Sequence, residues 1–163
     1  MNYHNITKCD MLNGEGLRVV LWLSHCTHNC LGCQNPQTHN ANSGIPFEED
    51  AYKEICEELD KEFISGITFS GGDPLSSLNR KHVLMMIRDI KLKYPNKSVW
   101  LYTGYKWEQI SQLEGIENID VLIDGLYIQK LKNNNLPYVG SSNQRIIDVK
   151  ETIKHKKIIL YSI

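Results

Sequence analysis

The sequence lacks any apolar run long enough to cross a bilayer. Its longest uninterrupted stretches, Val19–Leu23 and Val83–Ile87, fall far short of the roughly 20 residues a spanning helix needs. The polar N-terminal segment MNYHNITKCDMLNGEG has no apolar core of the kind a secretory signal requires, so the protein is expected in the cytoplasm with no membrane partner. An excess of positive charge is missing too. Lys plus Arg number 18 against 19 Asp plus Glu, a net charge of −1, which is not the footprint of a nucleic-acid binder. There is no internal repeat, no low-complexity tract and no Pro/Gly/Ser-rich linker, and 163 residues suit one domain, 1–163. A chain of this length buries roughly 70% of its unfolded surface, so it needs no disulfide staples. Phosphate-loop and dinucleotide fingerprints are also absent: Gly14-Glu15-Gly16 lacks the third glycine and the strand–helix setting.

What is present is an alternation of strand and helix patterns. Short apolar runs rich in β-branched or aromatic residues predict strands at Leu17–Leu23, Gly66–Ser70, Ser98–Thr103 and Asp120–Asp124, with others at Arg145–Val149 and Lys157–Ile163. Phe47, Ala51, Ile55, Leu59 and Phe63 recur every four residues and predict a helix over Phe47–Ile64, with Glu48, Glu49 and Asp50 in its first turn. Val83, Met86, Ile87, Ile90 and Tyr94 predict a second over Asn79–Tyr94, stopped by Pro95. A shorter helix is expected over Lys106–Leu113. This order implies an α/β fold with a mostly parallel sheet. A complete β/α barrel typically takes about 250 residues, so an open sheet or partial barrel of five or six strands is expected. In either form, sites gather at the C-terminal ends of the parallel strands.

Cys26, Cys30 and Cys33, in the spacing C-x3-C-x2-C, follow the first predicted strand directly. An odd total of five cysteines in a reducing compartment points to metal binding or chemistry rather than disulfides. One reading is structural zinc, with His25, His28 or His39 as the fourth ligand. The other is a 4Fe–4S cluster, whose usual ligands are four cysteine thiolates. Three ligands would leave one iron open to a small molecule, so the missing fourth cysteine would itself be functional. Cys56 lies on a helical stripe and reads as a buried small hydrophobe. Cys9 stands apart. A second motif, Ser70-Gly71-Gly72-Asp73-Pro74, ends the next strand. It is ordinary turn chemistry, but its glycines would also let a backbone approach a ligand, and the Asp73 carboxylate could accept from an ammonium group.

Together, the triad and Gly71-Gly72-Asp73 resemble the radical S-adenosylmethionine (SAM) superfamily. Asp73 stands where many members carry Glu. Further stretches narrow the resemblance: Asn13-Gly14-Glu15-Gly16, Trp100-Leu101-Tyr102-Thr103-Gly104-Tyr105, Asp120-Val121-Leu122-Ile123-Asp124-Gly125 and Gly140-Ser141-Ser142-Asn143-Gln144-Arg145. In this order, from Asn2 to Arg145, they are similar to the activating proteins of anaerobic (class III) ribonucleoside-triphosphate reductases. Gln34, where Tyr is common in that family, and His25, where Gly is common, are departures that spare the ligands.

The resemblance implies a partial (β/α) barrel of the radical SAM type. It implies a 4Fe–4S cluster on Cys26, Cys30 and Cys33, with SAM chelating the fourth iron. Gly32, Cys33 and Gln34 would lie against its adenine; Gly71, Gly72 and Asp73 would hold its methionine end. Reductive cleavage of SAM would give a 5′-deoxyadenosyl radical that removes a hydrogen from one glycine of the large reductase subunit. The implied partners are that subunit and an electron donor such as flavodoxin. Thr103 and Asp124, ending the next two strands, are candidate neighbours of the same site, and Asp124-Gly125 also reads as a turn. A small-molecule radical SAM enzyme and a non-catalytic zinc module remain the alternatives. Trp22, Trp100, Tyr102 and Tyr105 read as core, and Lys154–Lys157 as a solvated face.

Overall fold

Successive side chains of a strand point to opposite faces of its sheet, and the four central strands of this chain give the two faces different residues. A computed structural model describes residues 1–163. It has seven strands: β1 (Asn2–Asp10), β2 (Leu17–Leu23), β3 (Ile45–Pro46), β4 (Ile64–Gly71), β5 (Ser98–Tyr102), β6 (Val121–Asp124) and β7 (Arg145–Asp148). Helices α1 (Glu49–Leu59), α2 (Arg80–Lys93), α3 (Trp107–Ile110) and α4 (Val149–His155) complete it. The sheet order is β3-β1-β2-β4-β5-β6-β7. Strands β2, β4, β5 and β6 are mutually parallel; β1, β3 and β7 pair antiparallel at the flanks. The sheet is therefore mixed and open, seven strands where five or six were expected. Half of its pairings are antiparallel, against the expectation of a mostly parallel sheet.

Each parallel strand is added on the same side of the one before it. Crossovers of one hand then leave every helix on one face. Val19, Leu21, Ile67, Phe69, Val99, Leu101 and Leu122 form the core on that face with Ile55 and Leu59 of α1 and Val83, Ile87 and Ile90 of α2. The alternate residues, Arg18, Trp22, Thr68, Ser70, Trp100 and Tyr102, point to the face that carries no helix. Its floor is sealed by Arg18, which is fully buried. All five guanidinium donors are used: Nε to Thr68 Oγ1 at 2.8 Å, Nη1 to Glu15 O and Ser98 Oγ, and Nη2 to the carbonyls of Ile67 and Ser98. The cation lies 5.3 Å from the Trp100 ring centroid, and burial pushes its pKa down to about 10.

Three expectations are corrected. Strand β1 was not anticipated, because only Tyr3 and Ile6 of its nine residues are buried and two register shifts break its alternation. The first helix is shorter than Phe47–Ile64. Pro46 belongs to β3, Phe47 packs edge-on against Tyr3 before the helix starts, and Phe63 is exposed beyond its end. Lys157–Ile163 makes no strand. It touches β7 through one bridge, Ile147 to Leu160. Tyr161 then turns inward to Trp100 and donates to Glu15 Oε2 at 2.8 Å.

Candidate functional site

The C-terminal ends of β2, β4, β5 and β6 all open into one cavity of about 620 Å³ on the uncovered face. Pockets that take small molecules span roughly 300–1,000 Å³. The loop after β2 brings in Cys26, Cys30, Cys33 and Gln34; the end of β4 brings Gly71, Gly72 and Asp73; β5 ends in Tyr102 and is followed by Thr103, and β6 is followed by Gly125.

The cysteine loop is curled by left-handed residues at His25, Asn29 and Gly32. Cys33 N–H closes a turn on Cys30 O at 3.1 Å, and Asn35 N–H donates to Cys33 Sγ at 3.3 Å. Two backbone hydrogen bonds fasten the loop to the end of β4: Gly72 N–H donates to Leu23 O at 2.7 Å and Asp73 N–H to His25 O at 2.8 Å. That closeness explains the two glycines. A Cβ at Gly71 would lie 2.6 Å from the Leu23 backbone, and one at Gly72 would meet the His25 carbonyl. Sequence reasoning assigned their smallness to a ligand's approach; here the approaching group is the protein's own chain. Asn79 ties the same ends together, its Nδ2 donating to Ser24 O and Asp73 O.

Asp73 is 1% exposed. Its Oδ1 accepts from Leu75 N–H at 2.8 Å and Thr103 Oγ1 at 2.9 Å, and its Oδ2 from Gly104 N–H at 3.0 Å. His28 Nε2 lies 2.6 Å from the same Oδ2. Thr103 thus belongs to the site. Asp124 does not line the cavity: its carboxylate is held by Arg145, with Nε at 2.9 Å, and by Trp107 N–H at 2.7 Å. Gly32 also lies outside the lining, its α-carbon against the Gln129 side chain.

The remaining cysteines are elsewhere. Cys9 is exposed near the end of β1 that pairs with Arg18, at the start of β2 and away from the loop; Cys56 is buried on α1. Only three cysteines line the cavity. Burial raises the Cys26 thiol to about 11, with the Asp73 charge adding to it, and burial also raises Cys30. Binding to cationic metal would therefore displace protons from these sulfurs.

The donor set suits a cluster better than a single ion. One zinc draws its ligands to about 2.0–2.3 Å, and no three His, Cys, Asp or Glu side chains converge in that way. In a cluster each thiolate takes a separate iron, so the sulfurs stand apart. Of the histidines weighed as a zinc ligand, His25 bonds Ser76 Oγ at 2.8 Å and His28 bonds Asp73. His39 lines the cavity with its Nε2 buried and unpartnered.

Sequence reasoning missed Tyr127, Tyr138 and Gln144 as lining residues and took Trp22 and Tyr102 for core. The signal for the latter two was available: both occupy the strand parity opposite Val19, Leu21, Val99 and Leu101 of the helix-covered core. Tyr127 and Tyr138 come from irregular segments that carry no periodic signal.

Comparison with known proteins agrees with this geometry. Residues 12–147 match a family described as a 4Fe-4S single cluster domain. The chain is 44% identical over 146 residues to a protein of Enterobacteria phage T4, covering 90% of this chain and 93% of that one. It is 40% identical over 148 residues to one from Escherichia coli K12, covering 88% and 96%. A Haemophilus influenzae protein is 38% identical over 150 residues, covering 90% and 97%. All three are named anaerobic ribonucleoside-triphosphate reductase-activating protein.

Proposed function

The chain belongs to the family of anaerobic ribonucleoside-triphosphate reductase-activating proteins and carries its 4Fe–4S domain, and from that premise we propose that it is a radical SAM activase acting on the large subunit of such a reductase. Cys26, Cys30 and Cys33 hold the cluster, and residues 1–163 form one domain of the radical SAM partial-barrel type. Once bound and reduced, the cluster would supply the single electron for cleaving a sulfur–carbon bond of SAM, and the hydrogen then abstracted would come from a glycine of the reductase.

The observation that carries this reading is the count of cysteines at the cavity: three, with no fourth within it. Gly71, Gly72 and Asp73 flank the methionine end of SAM, and Cys33 and Gln34, which line the cavity, its adenine end. Trp22, Tyr102 and Tyr138 wall the cavity with aromatic surface and limit water there. The open sheet leaves the mouth free for a polypeptide loop, and an electron donor such as flavodoxin completes the reaction. The test is anaerobic incubation of the loaded protein with its reductase, SAM and a reductant, read by EPR. A glycyl-radical signal on the large subunit, absent with Cys30→Ala, is the expected result. Methionine released without any radical on the reductase would contradict the assigned substrate.

A further inference from the structure

We propose that His28 is a positioning residue that latches the cysteine loop to Asp73, so that Asp73 shapes the ligand site through the loop instead of offering it a free carboxylate. A carboxylate has about four lone-pair positions, and Asp73 has four donors on it: Leu75 N–H, Thr103 O–H, Gly104 N–H and His28. Three of these belong to the ends of β4 and β5. His28 alone reaches across from the segment that carries the thiols, two residues from both Cys26 and Cys30. It is the one side chain between those cysteines that hydrogen-bonds outside the loop.

The pose of the imidazole is fixed on three sides. Its Nε2 bonds Asp73 Oδ2 at 2.6 Å. Its ring meets Tyr105 edge to face, centroids 4.7 Å apart at 72°. Its flat side rests on Gly104, where any Cβ would overlap Cδ2 and Nε2. The glycine of Thr103-Gly104-Tyr105 thus has a stated reason: it makes room for a ring from the cysteine loop. An ammonium group that sought Asp73 directly would have to displace one of these donors. The arrangement instead lets a single carboxylate join the ends of two strands to the metal-binding loop, a geometry that depends on side-chain packing to hold its sulfurs in place.

The latch concerns this chain's own residues, and only its consequence for SAM rests on the reading above. The test is amide hydrogen exchange on the full-length metal-free chain, with the α2 peptide as reference for global stability. The amides of His25, Cys26 and Cys33 are expected to exchange about tenfold faster in His28→Ala, as loss of one charge-assisted hydrogen bond implies for local opening. Asp73→Ala should loosen the same amides, and the double variant should add nothing further. His28→Gln, which keeps a donor, should recover most of the protection. In the reconstituted protein, the EPR change caused by SAM should shrink in His28→Ala and return in His28→Gln.

Unchanged loop exchange in His28→Ala, or strictly additive effects in the double variant, would overturn the latch. The two readings fail separately. Loss of protection in a protein that takes up no cluster would leave the latch standing and sink the radical chemistry; unaltered exchange in a protein that binds cluster and SAM would do the reverse.

Discussion

The two faces of the same four parallel strands are built on different chemistry. On the helix-covered face, Val19, Leu21, Ile67, Phe69, Val99, Leu101 and Leu122 are fully buried and carry no polar side-chain atom. On the other, Arg18 hydrogen-bonds Thr68 and lies against the Trp100 ring, while Trp22, Ser70 and Tyr102 line the cavity. Removal of apolar surface from water stabilises the first face without reference to any ligand. The second depends on each buried polar atom finding its partner. One face therefore holds the fold, and the other, because its strands all end on the same side, holds the site.

The sharpest way to break this division is at the thiols. Cys30→Ala removes one of the three proposed cluster ligands, and iron and sulfide analysis after reconstitution should show no stable cluster in a chain that remains folded. The helix-covered face should respond in the opposite way. Phe69→Ala should cost about 3–5 kcal/mol in denaturant unfolding, while any folded fraction keeps the cysteine-lined cavity. Arg18→Met tests the floor of the open face. It should cost about 3 kcal/mol, because it strands buried acceptors on Thr68, Ser98 and Ile67. A cost below that of an ordinary surface substitution would show that the floor contributes little.

Asp73→Ala should weaken SAM binding by about 1.5–3 kcal/mol, the range for losing the hydrogen bond to a charged group by which His28 latches the cysteine loop, with the cluster still present. The smallest effect is expected far from the cavity, at Asp120. Burial alone would raise its pKa, but hydrogen bonds from Lys150, Lys91 and Val99 N–H outweigh burial and hold it below 3.8. A carboxyl depressed in the folded state stabilises above its unfolded pKa and loses that contribution as pH falls through the folded value. Stability of the wild-type chain should thus fall below about pH 4, and Asp120→Asn should flatten that part of the curve in pH-dependent melts.

Local patterns in the sequence revealed the face that holds the fold and the outline of the site. Short apolar runs rich in β-branched and aromatic residues mark the four parallel strands, and the cysteine spacing and Gly71-Gly72-Asp73 both fall at strand ends, where the sheet brings them together. What stayed hidden depends on contacts between distant residues. Polar β1 lacks an apolar stripe because it flanks the sheet. The partnership of His28 with Asp73 spans 45 residues, and no local spacing encodes it. The purpose of Gly71 and Gly72 becomes visible only when Leu23 and His25 are seen against them. Asp124 reads as a rim residue until its carboxylate is found committed to Arg145 and Trp107.

The central claim is that three cysteines hold a cluster with one open iron. It is tested most directly by anaerobic reconstitution with iron and sulfide, followed by low-temperature EPR of the reduced protein with and without SAM. The account predicts a reduced 4Fe–4S signal whose shape changes when SAM is added. A protein that takes up no cluster and holds stoichiometric zinc would contradict it, with His39, the unpartnered histidine of the cavity, as the residue that closes the site.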